Sequence, residues 1–138
     1  MFVLDPAFSA STAAILDLPL STALLQLDAR YPWIILVPRQ TGLAEIEDLS
    51  AADRALLMDE ILAAGRAVRA VGAAWGLPVE KLNIGALGNI TRQLHVHVVG
   101  RRVGDAAWPG PVWGHGTSVA PQAAALKAAL AAARASLG

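Results

Sequence analysis

The 138-residue chain contains no cysteine, which removes disulfides, a thiolate nucleophile and thiolate metal ligation, and fits a reducing compartment. It also has no excess of charge of either sign. Eleven Lys and Arg balance eleven Asp and Glu, so no general attraction to nucleic acid polymers or to anionic membranes follows. Any anionic ligand has to be held by a local site. Only 16% of residues are charged and 55% are hydrophobic, which excludes a disordered tail and points to a compact globule. No apolar run approaches the roughly 20 residues that a membrane helix needs. The opening "MFVLDPAFSASTAAILDLPL" lacks a basic region and is interrupted by Asp5 and Asp17, unlike a signal peptide. A cytoplasmic protein of one domain, residues 1–138, is expected.

What is present has the periodicity of a mixed fold. "STALLQLD" (21–28) and "WIILV" (33–37) are short apolar runs separated by "ARYP" and closed by Pro38, the pattern of a strand pair. The period then changes. Leu57, Ile61, Ala64, Val68, Val71 and Trp75 step by three and four along one face of a helix, with Ser50 and Asp53 resembling a capping box and Gly76 and Pro78 as stops. "KLNIGALGN" (81–89) and "RQLHVHVV" (92–99) predict two more strands, joined by a turn at Gly88 and Asn89. A closing helix is expected over about 121–137, with Pro121 in its first position and Leu126, Leu130, Ala133 and Leu137 on one face. Strands, helix, strands, helix is an α+β order.

The chemistry concentrates in "QLHVHVVGRR" (93–102). In a strand, Gln93, His95 and His97 project from one face while Leu94, Val96 and Val98 meet the core. A half-exposed structural face is one reading of this trio. A metal pair is a second, although the only further ligands in view are His115 and scattered carboxylates. Catalysis at phosphorus is the third: a neutral imidazole, with a pKa near about 6.5, can attack and leave at neutral pH. The neighbouring His97 is expected to supply a proton to the leaving group.

Gln93-Leu94-His95-Val96-His97-Val98-Val99-Gly100-Arg101 resembles the signature of the histidine triad (HIT) superfamily, His-φ-His-φ-His-φ-φ followed by Pro-Arg, with Gln93 in the first histidine position and Gly100 in that of the proline. "LDARYPWIILVPRQTG", "EDLSAADRALLMDE", "KLNIGALGN" and "DAAWPGPVWG" also resemble successive blocks of one bacterial branch, in order, between about Leu18 and Gly114. The resemblance implies an antiparallel sheet of about five strands with a long central helix and a C-terminal helix, usually paired as a homodimer. No cofactor is implied, and no metal.

By the same resemblance His95 is the nucleophile that forms a covalent nucleotidyl-histidine, and His97 contacts phosphate and leaving-group oxygens. Gln93 orients its neighbours without titrating. Asp28 resembles the acidic residue that accepts both ribose hydroxyls, with a turn residue before "ARYP" as its plainer role; Asn83 and Asn89 resemble polar residues near the phosphates. Arg101 shares the histidine face. "WPGPVW", with Trp108 and Trp113, suits a flap over a base, a protomer contact or a packed loop. The expected activity is a nucleotide hydrolase or nucleotidyl transferase acting on nucleoside phosphoramidates or dinucleoside polyphosphates. A nucleotide-binding module with weak turnover is the alternative, and a metal-dependent enzyme using the histidine pair a third.

Overall fold

The computed structural model describes all 138 residues. It opens with a short helix, α1 (Pro6–Ser11), capped by the Asp5 carboxylate on the Ala7 N–H, and continues directly into β1 (Thr12–Asp17). Then follow β2 (Ser21–Gln26), β3 (Trp33–Pro38), a 3₁₀ turn at Ile46–Asp48, α2 (Ala51–Trp75), β4 (Lys81–Gly85), β5 (Val96–Arg101) and α3 (Ala123–Leu137). The strands form one antiparallel sheet in the order β1-β2-β3-β5-β4, so the expected α+β architecture with five strands is what the chain adopts.

Every residue of β3 is buried because the central strand is covered on both faces, which is why its sequence is an unbroken apolar run instead of an alternation. Alternate side chains divide two cores. Ile34 and Leu36, with Ala23, Leu25, Val96 and Val98, pack under α2 and α3. Trp33, Ile35 and Val37, with Leu24 and Val99, face the other way and are covered by Phe8 from α1 and by Ala107 and Val112 from the loop after β5. The second cover is made of short irregular segments, and the functional cleft opens in it.

α2 begins where expected: the Ser50 hydroxyl accepts from the Asp53 N–H, while Gly76, at φ 68°, ends the helix in the left-handed region and Leu77 N–H returns to the Gly72 carbonyl. Only half of the expected capping box forms, since the Asp53 carboxylate accepts from Gln40 instead. α2 also carries Glu60, 4% exposed, whose two oxygens accept from the Leu20 and Ser21 N–H groups at 2.7 and 2.9 Å and so hold the β1–β2 turn.

Several elements differ from the sequence reading. The strands expected over 21–28 and 81–89 end at Gln26 and Gly85. The strand expected over 92–99 runs 96–101, because residues 86–95 form an irregular connection instead of a tight turn. α3 starts two residues after Pro121, with Gln122 as its cap. α1 and β1 carry no clear period in the sequence and were not expected; β1 contains a bulge between Ala14 and Leu16, and Arg134 of α3 donates to the Ala14 and Ile15 carbonyls there.

Candidate active site

The pleat of β5 delivers what the "HVHVV" alternation promised, since Val96 and Val98 enter the core under the helices while His97 faces the opposite side. His95, one residue before the strand, keeps the same facing, and the two imidazoles stand 4.9 Å apart in edge-on contact. Both are nearly buried, at 7% and 8% exposure. They form the floor of a cleft of about 430 Å³ whose walls include Asp28, Trp33, Asn89 and Trp113. A second cavity of about 360 Å³ reaches His95 from the side of Gln93, Glu45 and Glu47.

Hydrogen bonds give the two rings opposite proton placements. His95 Nδ1 lies 2.7 Å from the Gln93 backbone carbonyl, which can only accept, so Nδ1 carries the proton and Nε2 keeps its lone pair. His97 Nδ1 lies 3.0 Å from Trp33 Nε1, an indole N–H that can only donate. Nδ1 of His97 is therefore the acceptor, and its proton resides on Nε2. Burial, reinforced by the neighbouring His95, pushes the His97 pKa down to about 4, so this ring is neutral at physiological pH. One ring thus presents a lone pair and the other an N–H. A neutral imidazole whose Nδ1 is engaged by Trp33 presents its Nε2–H as a hydrogen-bond donor.

Aromatic residues fix the pair from three sides. Phe8 meets His95 edge-on at 4.8 Å, and Trp33 and Trp113 meet His97 at 5.6 and 5.4 Å. Trp113 Nε1 is buried without a partner, a donor left for an acceptor to satisfy. Of these three residues the sequence pointed only to Trp113, through "WPGPVW"; Trp33 read as part of an apolar strand, and Phe8 carried no signal.

The remaining sequence candidates divide. Asp28 and Asn89 lie in the cleft wall. Asp28 is 1% exposed and its carboxylate accepts from the Arg30 side chain and backbone and from the Val119 N–H, the bonding of its turn role. The structure does not bring Asn83, Arg101 and Trp108 to the histidines. Arg101 does share their face, but it sits four residues beyond His97, about 13 Å by the strand rise. There it is buried and consumed: its guanidinium pairs with both Asp105 oxygens at 2.7 and 2.9 Å, with Asn83 Oδ1 at 2.8 Å and with the Gly110 carbonyl at 2.9 Å, beneath the Trp108 ring. "WPGPVW" is thus a packed loop in which Trp108 covers an ion pair and Trp113 reaches the cleft. Exposed His115 stands on the cleft rim, its carbonyl accepting from Arg30. Gln93 lines the adjoining cavity and not the cleft, and it binds the N-terminal segment: Oε1 accepts from the Asp5 N–H and Nε2 donates to the Val3 carbonyl, both at 2.8 Å. No third His, Cys, Asp or Glu joins the histidine pair in a metal-binding group.

A five-stranded antiparallel sheet that presents paired imidazoles over a cleft defines the histidine triad class of proteins. The chain belongs to the HIT domain family, whose model matches residues 8–104. It is similar to three solved histidine triad proteins: one from Bradyrhizobium japonicum at 42% identity and TM-score 0.92, covering 99% of this chain and 98% of that one; one from Sinorhizobium meliloti at 39% and 0.89, covering 99% and 98%; and one from Marinobacter aquaeolei at 35% and 0.89, covering 99% and 96%. No curated protein matches the chain. Membership of the family implies nucleotide binding or a nucleotide hydrolase or transferase activity. No helix is long and apolar enough to cross a membrane.

Proposed function

We propose that this protein is a nucleotide hydrolase or nucleotidyl transferase in which His95 attacks the α-phosphorus of a nucleoside phosphoramidate or dinucleoside polyphosphate. The observation that carries this reading is the opposite proton placement on adjacent rings, with a lone pair on His95 Nε2 beside an N–H on His97 Nε2. In the first step the His95 Nε2 lone pair forms an N–P bond while the bond from phosphorus to the leaving group breaks; the leaving group takes that electron pair, departing as an anion when it is a phosphate and taking a proton from solvent when it is an amine. His95 becomes a phosphorylated imidazolium, whose positive charge the Gln93 carbonyl stabilises through Nδ1–H. His97 donates its Nε2–H to a phosphoryl oxygen, a preorganised bond that strengthens as charge builds there. In the second step water attacks phosphorus, the N–P bond breaks, the electron pair returns to Nε2 and the water proton passes to solvent.

The cleft suits a mononucleotide: Trp33 and Trp113 offer apolar faces for a base, and Asp28 and Asn89 offer polar contacts for ribose and phosphate. Residues 1–138 act as one domain in this reading, because the N-terminal segment and both long helices pack on the same sheet. A homodimer is part of it as well. β4 is a sheet edge with Ile84 exposed, and Met58 and Leu62 of α2 are exposed too.

The test is turnover on a panel of dinucleoside polyphosphates and nucleoside phosphoramidates, comparing the wild-type protein with His95→Ala. Release of nucleoside monophosphate that is abolished in the variant is the expected result. Thermal stabilisation by a mononucleotide with no product from any substrate would contradict it and favour a binding module.

A further inference from the structure

Gln93 occupies the position where the family signature has a histidine, yet its side chain takes no part in the cleft. Both its polar atoms are spent on main chain far away in sequence, one on Val3 and one on Asp5. A primary amide is suited to this, because it offers a donor and an acceptor side by side, whereas a carboxylate only accepts and a thioether cannot donate and accepts only weakly. The grip falls one residue before α1, whose single buried side chain is Phe8. Phe8 in turn stands 4.8 Å from His95, edge-on, and forms part of the core on the cleft side of the sheet. The same residue 93 provides, through its backbone carbonyl, the acceptor for His95 Nδ1.

We propose that Gln93 is a positioning residue that clamps the N-terminal segment at two points and thereby seats Phe8 as the wall that holds the His95 ring. The substitution is then a change of mechanism of support: the position that carries an imidazole in the signature here recruits residues 3–8 to orient the nucleophile. The proposal concerns the ring's orientation, and it rests on the reading of His95 as nucleophile only for its catalytic consequence. Gln93→His does not raise turnover on this account, because residue 93 serves the segment and not the phosphate.

Three variants of the full chain test it: Gln93→Met, which keeps length and removes both bonds, Phe8→Ala, and the two combined. Asp5→Ala serves as control, since it removes the α1 cap but leaves the Asp5 N–H to Gln93. Two readouts are used: kcat and KM on the best nucleotide substrate, and the ¹⁵N-edited NMR signal of the His95 Nδ1–H proton. Gln93→Met and Phe8→Ala are each expected to lower kcat about 10- to 100-fold with little change in KM, the scale of a misplaced reacting group. The His95 Nδ1–H signal should broaden or vanish, the Asp5 amide should exchange faster, and the double variant should be no worse than the poorer single one. The control should keep the wild-type signal. An unchanged Nδ1–H signal and kcat in Gln93→Met, or strictly additive losses in the double variant, overturns the clamp. A wild-type protein without turnover would sink the enzymatic reading alone, because the NMR signal and the amide exchange still decide the clamp.

Discussion

His97 is the residue at which local environment matters most. Its Nδ1 has one partner, Trp33 Nε1, and its pKa is driven to about 4 chiefly by burial. Trp33→Phe removes the donor while leaving an aromatic ring in place, so His97 is free to move its proton to Nδ1. A fall in kcat of about tenfold is expected, below the roughly 100- to 1000-fold cost of removing a preorganised donor outright, because His97 remains and only part of it changes tautomer. NMR should show a mixed His97 tautomer in place of a single Nε2–H form, and an unchanged tautomer with full activity would refute the assignment. The histidine pair was legible in the sequence because a period of two assigns faces without knowledge of tertiary structure. Its supports were not, because Trp33 and Phe8 are apolar residues that any strand or helix would bury. Arg101 illustrates the converse. Its face was legible, but the Asp105 and Gly110 partners that consume its charge come from a loop whose path no periodicity reveals.

At the scale of elements, two buried details of the frame hold the site in register. Gly100 lies in β5, and its N–H donates to the Pro32 carbonyl at 2.8 Å, a bond that proline would lack. A Cβ there would meet Val79, Pro32 and Val68 side-chain atoms at 2.7 to 2.8 Å. Gly100→Ala is therefore expected to destabilise the fold by roughly 1 to 3 kcal/mol through overpacking, measurable as a lower urea midpoint; a wild-type midpoint would contradict the packing. Glu60→Gln replaces one acceptor oxygen with an N–H₂ facing the Leu20 or Ser21 N–H. A loss of roughly 1 to 3 kcal/mol is expected from the unpaired donor, with the catalytic rate of the folded fraction unchanged. α2 was legible from its three-and-four step, its cap and its terminal glycine. α1 and β1 were not, because six-residue elements carry too little periodicity, and β1 adds a bulge that breaks its alternation.

For the whole molecule, the cleft-side core stakes stability on groups that titrate. His97 is held below the value it has in the unfolded chain, so the native protein binds fewer protons than the unfolded one between about pH 4 and 6.5. Its contribution is complete above that window and is lost as the pH falls through it, by at most roughly 3 kcal/mol. Asp105 adds to the loss at lower pH. Burial alone would raise its carboxyl, but the Arg101 guanidinium and the Arg102 and Trp108 N–H groups hold it below the ordinary carboxylate value. Denaturant unfolding of the wild type and of His97→Gln at pH 7 and pH 4.5 tests the sign: the wild type should lose the larger share of stability on acidification, and equal losses would contradict the buried neutral ring. The α+β class and its two long helices could be read from the chain, whereas the second cover of the sheet could not, since it is assembled from segments about 100 residues apart.

All of these scales meet in one proposed event, the formation of a bond between His95 Nε2 and phosphorus. The most direct measurement is rapid acid or denaturant quench of the protein during turnover of a nucleotide substrate, followed by intact-protein mass and ³¹P NMR. A mass increase of one nucleotidyl group, with a phosphoramidate resonance that is absent in His95→Ala and present in Trp33→Phe, is the predicted result. Turnover that proceeds with no adduct at any quench time, or an adduct that persists in His95→Ala, would contradict it.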